Sequence, residues 1–268
     1  MLKRFWNSMW LIMCVFMLAI LVGCVCDDCC DDCMINDDRA VSSLKKAYTI
    51  CVGVENGFAG KCPGAKRDVS SMKSMLAKYS KKIVTLTDKK ATKAAVAEQL
   101  RTGVNNYELT IFFSSGHGGS QTAYSDKTEA DGKDEFLCLY DTAMFDNEIW
   151  SIISQCKGRV MLIFDCCHSE TIFRSPFSFS KIQKRLQATH NASGNINMLC
   201  WSGCSDDSYA YGSSSGGIFT KTIKRLYKKK LSYDELWKKV EADRTLMRQE
   251  KVQRTIIGSG FGSKAVFQ

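Results

Sequence analysis

Proline is nearly absent from the chain, with two in 268 residues, which excludes an extended Pro-rich linker. Histidine is scarce too, and none of the three, His117, His168 and His190, accompanies the dense cysteine cluster Cys24–Cys33. Five cysteines stand there among acidic residues, and without imidazole the segment reads as a disulfide knot or a plain acidic tether. No internal repeat and no nucleic-acid-binding module is visible. Basic residues are missing where acidic ones gather: residues 27–38 hold six Asp and no Lys or Arg, so from residue 39 onward 35 basic residues face 22 acidic ones. An excess of that sign attracts nucleic acid or anionic headgroups. The lysines are spread over predicted helix faces, so we read a solvated basic surface and no nucleic-acid partner.

The chain opens with basic Lys3 and Arg4, an apolar core from Trp10 to Ile20, and Leu21-Val-Gly-Cys24. This is the anatomy of a secretory signal, and its last four residues resemble a bacterial lipobox, which implies that Cys24 is lipidated and becomes the mature amino terminus. The competing reading is an uncleaved membrane anchor, although the apolar stretch is slightly short of the ~20 residues that span hydrocarbon. Both place the rest of the chain outside the cytoplasm and attached to a membrane. We divide the chain into a signal at 1–24, an acidic Cys-rich tether at 25–42 and a folded domain at 43–268.

From Lys45 the pattern alternates between strands and helices. Strands are predicted at 47–54, 82–87, 109–115, 135–139, 160–164, 196–201 and 264–267. Helices are predicted from the Cys62–Asp68 turn onward with Val69, Met72, Met75 and Leu76 on one face, then over 89–101, 146–155, 217–227 and 232–249. Alternation with short connections implies an α/β fold with a largely parallel sheet covered on both faces. Cys51, Cys138, Cys156 and Cys200 lie in or beside apolar runs and read as small core residues.

Two of these strands end in reactive side chains. Leu109-Thr-Ile-Phe-Phe113 runs into Ser114-Ser-Gly-His-Gly-Gly119, and Val160-Met-Leu-Ile-Phe164 stops at Asp165-Cys-Cys-His-Ser169. Reactive groups collect at the carboxyl ends of strands in open α/β sheets, so one rim receives a His and a Cys. An imidazole that takes the thiol's proton makes the nucleophilic thiolate available at neutral pH.

The motifs Ser-Gly-His-Gly and Asp-Cys-Cys-His-Ser, about 50 positions apart from His117 to Cys167, resemble the metacaspase and bacterial metacaspase-like branch of the caspase-fold cysteine peptidases. Pro63–Val69, Glu129–Glu135, and Trp201–Asp207 followed by Gly216-Gly-Ile-Phe-Thr220 resemble further segments of that family in its own order, so the likeness covers Tyr48 to Phe267. It implies a caspase-like α/β/α sandwich with a mostly parallel central sheet in a single polypeptide, expected to be a monomer.

By the same resemblance Cys167, rather than Cys166, is the nucleophile. His117 is the general base or orients the thiolate, and the backbone amides of Gly118 and Cys167 form the oxyanion hole. Asp68, Ser115 and Asp165 line a pocket for a substrate Arg or Lys, with Asp206 as a further member. Read from the residues alone, Asp68 also fits a helix N-cap and Asp165 a loop hydrogen bond. The chemistry requires no cofactor, but the family implies calcium, for which Asp131 and Asp146 are candidates. Asn147 stands where a second acidic ligand is expected, and a solvated acidic loop fits these residues equally well. Arg174, Lys181, Lys184 and Arg185 are candidate self-cleavage sites. The implied activity is endopeptidase cleavage of peptides or proteins after Arg or Lys through an acyl-enzyme. The competing reading is a catalytically inactive caspase-fold binding module tethered to the membrane.

Overall fold

Ala47-Tyr-Thr-Ile-Cys-Val-Gly53 is buried at every position, as a strand covered on both faces requires, and the rest of the sheet is built around it. The computed structural model describes residues 47–122, 133–167, 196–203, 212–228, 230–247 and 252–267, within a compact unit spanning Lys45–Gln268. The signal, Cys24, the tether, Asp131, Asp206, His168, His190 and the four candidate self-cleavage residues lie outside the described residues. The side chain of Cys167 does too, although its backbone is described.

In chain order the described elements begin with β1 (Ala47–Gly53), the hairpin β2 (Asn56–Gly57) and β3 (Gly60–Lys61), α1 (Ala65–Leu76), β4 (Ser80–Thr87), α2 (Lys93–Asn106) and β5 (Leu109–Thr122). Next come β6 (Lys133–Cys138), β7 (Ala143–Phe145), α3 (Asp146–Ile153), β8 (Arg159–Cys167), β9 (Asn197–Ser202), β10 (Gly212–Ser213) and β11 (Gly216–Gly217). The chain continues through α4 (Ile218–Leu226), α5 (Tyr233–Glu241), α6 (Arg244–Met247) and β12 (Gln253–Ile257). The main sheet has the order β12-β9-β8-β5-β1-β4. Its neighbours are parallel except for β12, which is antiparallel to β9. The outer half of β5 leaves this sheet and pairs antiparallel with β6, which pairs in turn with β7.

Alternation along the strands sorts the core into two layers. Tyr48, Ile50 and Val52 of β1, Phe112 of β5, and Val160, Leu162 and Phe164 of β8 pack with Val96 and Leu100 of α2 and Ile149 and Ile152 of α3. The intervening residues Cys51, Ile111, Phe113, Met161 and Ile163 pack with α1, α4 and α5 through Met72, Phe219, Ile223 and Trp237. The result is the mostly parallel α/β/α sandwich that the sequence implies.

Several boundaries differ from the sequence reading. The second helix starts at Lys93 rather than Lys89, because Asp88–Lys90 forms a 3-10 turn and Thr92 caps the helix by accepting the Ala95 N–H. The helix expected over 232–249 breaks after Glu241, where the Asp243 carboxylate accepts the Leu246 N–H and opens α6. No strand forms at 264–267; Ala265 makes only an isolated bridge to Ser232, and Phe267 packs against the Tyr79, Tyr227 and Tyr233 rings. The closing strand is β12, which follows a charged stretch with no alternation to mark it. β7 was not expected from the sequence.

Candidate active site

The apolar runs Leu109–Phe113 and Val160–Phe164 fix the register of β5 on β8, since a slip by one residue would exchange side chains between the two core layers. That register, carried to the strand ends, pairs Ser115 with Asp165 and His117 with Cys167. Both sequence motifs therefore end side by side. His117 is nearly buried, at 8 % exposure, and its Nε2 lies 3.0 Å from the carbonyl oxygen of Lys61. A carbonyl only accepts, so Nε2 carries the proton of the neutral ring and Nδ1 keeps its lone pair.

Lys61 is presented by the β2–β3 hairpin, whose base is tied at both ends. The Asp88 carboxylate accepts the N–H groups of Glu55 and Asn56 and pairs with Lys66, while the Glu55 carboxylate accepts those of Gly64 and Lys66. Gly118, just past His117, is buried where β5 turns out to pair with Leu137 of β6.

On the α1 and α4 side of the sheet the structure brings together Asp68, Ser115 and Asp165. Asp68 does not cap α1; the N-cap is Gly64, and Asp68 lies inside the helix with 3 % exposure. Its Oδ2 accepts the Ser115 hydroxyl at 2.8 Å, and both its oxygens accept the Gly217 N–H at 2.9 and 3.0 Å. Asp165 is fully buried, and its Oδ2 accepts the N–H and the hydroxyl of Thr220 at 2.9 and 2.6 Å. It thus caps the first turn of α4 from another element, instead of the local loop bond that its residue type suggests.

Gly216 and Gly217 pass between the two carboxylates so closely that no side chain fits. A Cβ on Gly217 would lie 2.1 Å from Asp165 Oδ2, and one on Gly216 2.4 Å from Asp68 Oδ1. Burial, and then the charge of Asp165, push the Asp68 carboxyl up to about 7, against the bonds from Gly217 and Ser115 and the charge of Lys221. Asp165 is also raised by burial, with the Thr220 bonds and Lys221 opposing.

The carboxylate cluster can receive a cation, and the paired strand ends can place an imidazole beside a thiol. Among the described residues, burial pushes the Cys51 and Cys138 thiols up to about 12 and raises Cys156 and Cys200, and Cys166 lies in the core layer of α2 and α3. Asp146 is buried at the start of α3, where it accepts the Asn147 N–H. No group of three or more His, Cys, Asp or Glu placed to hold a metal ion occurs among the described residues, and the other calcium candidate, Asp131, lies outside them. No helix among them is long and apolar enough to cross a membrane. Sequence reasoning missed the Lys61 carbonyl and the roles of Gly217 and Thr220; the one available signal was a Gly-Gly pair opening a helix with Thr in its first turn.

Comparison with known proteins bears on the fold. A metacaspase-1 of Cryptococcus neoformans is 28 % identical over 162 residues, covering 50 % of this chain and 35 % of that protein, so the chain spans about a third of that relative's length. Among solved structures, the protein GSU0716 of Geobacter sulfurreducens superposes with a TM-score of 0.62 at 22 % identity, covering 80 % of this chain and 94 % of that one. Caspase-1 of Spodoptera frugiperda does so with a TM-score of 0.52 at 12 % identity, covering 80 % and 86 %; at such identities the likeness is one of fold. The caspase-domain family model matches residues 45–259, and the chain belongs to the caspase-domain family.

Proposed function

We propose that the protein is a cysteine endopeptidase that cleaves after Arg or Lys with a His117–Cys167 dyad. The observation that carries the reading is the register pairing His117 with Cys167, next to a histidine whose Nε2 is engaged by the Lys61 carbonyl. Nδ1 of His117 is then the base that takes the Cys167 proton. The thiolate attacks the scissile carbonyl carbon, the oxyanion is met by the amides of Gly118 and Cys167, and His117 returns the proton to the leaving amine. Water, deprotonated by the same ring, hydrolyses the thioester. None of these steps calls on a metal; calcium, for which Asp131 and Asp146 are the candidate ligands, would act outside them.

Asp68 and Asp165 support a basic first residue on the acyl side of the cut. Two carboxylates in a dry site carry no compensating ion pair among the described residues, so a guanidinium or ammonium gains most by entering there. The signal-like Met1–Cys24 supports attachment of the mature protein to a membrane through lipidated Cys24, facing away from the cytoplasm.

Fluorogenic peptides ending in Arg, Lys or Asp, assayed with the wild type and Cys167→Ala, test the reading. Turnover of the Arg and Lys peptides is expected to fall by at least about 10³-fold in the variant. Preference for Asp, or unchanged turnover without the thiol, overturns it.

A further inference from the structure

Asp165 is buried to 0 % exposure, yet its two oxygens are treated unequally. Both hydrogen bonds from Thr220 fall on Oδ2, while Oδ1 has no partner among the described residues. Buried carboxylate oxygens are rarely left so, and the exceptions call for an explanation such as a ligand. Asp68 differs, since both of its oxygens already accept bonds from within the chain. Gly217 backs directly onto this carboxylate: a Cβ there would lie 2.1 Å from Oδ2 and 2.5 Å from Oδ1.

Thr220 lies in the first turn of the nine-residue α4, whose N-cap, Gly217, has no side chain to offer. Its N–H needs an acceptor from elsewhere, and Asp165 supplies one. Capping alone would be complete with that N–H. The hydroxyl is therefore a second bond to the same oxygen, made by a fully buried side chain that in a helix more often bonds back to its own preceding turn.

We propose that Thr220 is a specificity-positioning residue: by holding Oδ2 of Asp165 with both its N–H and its hydroxyl, it presents Oδ1 as the acceptor for the cationic side chain of the substrate. The inference rests on the basic-pocket reading and adds to it the residue that sets the orientation of the acceptor. Without the hydroxyl, the carboxylate keeps one bond and can rotate about its terminal torsion, which is broad and two-fold. Its free oxygen is then no longer aimed.

The test is steady-state kinetics on peptides ending in Arg, Lys and citrulline, the uncharged analogue of Arg, with wild type, Thr220→Val and Thr220→Ser. Thr220→Val is expected to raise KM for Arg and Lys about tenfold, leave kcat within about twofold and shrink the preference for Arg over citrulline, while Thr220→Ser stays close to wild type. An unchanged KM, a loss confined to kcat, or a Ser variant as impaired as the Val variant overturns the assignment. If Thr220→Val does not fold, Thr220→Ser against Thr220→Ala gives the same comparison, since these two differ in the hydroxyl alone. A wild type that turns over neither basic peptide sinks the basic-pocket reading itself; turnover with a KM indifferent to the hydroxyl sinks only the role of Thr220.

Discussion

The dyad end of the site and its carboxylate end are held by different means. Positions 117 and 167 face each other because two parallel strands are in register over nine residue pairs, and the ring of His117 is steered by a main-chain carbonyl. Backbone does this work, so substitutions around it have little to disturb. Asp68 and Asp165 are instead oriented by single atoms of Ser115, Gly217 and Thr220, across as many as 149 positions of sequence. Selectivity in this molecule should therefore be easier to damage than the chemistry.

The sharpest way to probe the contrast is to remove one charge at a time. Asp165→Asn is expected to lower kcat/KM for Arg peptides about 100-fold or more, the usual consequence of truncating one partner of a buried charged pair. Asp68→Asn should cost less, about tenfold, since its oxygens are already engaged by Ser115 and Gly217. Equal losses, read as the ratio of the two variants' kcat/KM, would break the proposed asymmetry between the carboxylates.

A smaller effect is expected from Gly217→Ala. Its Cβ would overlap the Asp165 carboxylate, and overpacking of this kind costs about 1–3 kcal/mol. Relief comes either by turning Asp165 or by shifting the glycine segment off Asp68. Both raise KM for basic peptides while the His117–Cys167 register stays intact. Reaction with a small thiol-directed alkylating agent that carries no charge should then proceed at the wild-type rate, whereas a matching loss in that rate would tie the two ends of the site together.

How far each end was legible in the sequence follows the same division. The runs Leu109–Phe113 and Val160–Phe164 are apolar on both faces, which marks strands buried in a parallel sheet, and reading outward from them brings His117 and Cys167 to one rim. Asp68, Ser115 and Asp165 were reached through resemblance and not through periodicity, because their meeting depends on how α1 and α4 pack over the sheet. Thr220 and Gly217 act through contacts between elements distant in sequence, and the Gly-Gly pair that opens their helix marks a close approach without saying to what. The Lys61 carbonyl is invisible by nature, since every residue carries one. β12 was hidden for a different reason: Gln253-Arg-Thr-Ile-Ile257 continues a charged segment, and only its antiparallel partner β9 makes it a strand.

The weakest expected effect is on stability, and it opposes the usual behaviour of carboxylates. Asp68 is held up to about 7 by burial and by the charge of Asp165, from an ordinary value of 3.8. Between about pH 4 and 7 the folded chain binds a proton that the unfolded chain has released, so stability falls as pH rises through that window and stays lower above it. Glu235 and Asp243, held low by the amides of Ser232 and Leu246, act with the opposite sign, but their contribution is lost only on acidification below about pH 4. The wild type should thus be more stable at pH 5.5 than at pH 8, by on the order of a few kcal/mol at most, and melt at a correspondingly higher temperature. Asp68→Asn, which cannot ionise, should flatten that slope and melt above the wild type at pH 8. A wild-type-to-variant difference that stays constant from pH 5 to 8 would mean that the two carboxylates do not repel each other in the folded chain, and the argument for a site that gains by receiving a cation would lose its electrostatic basis.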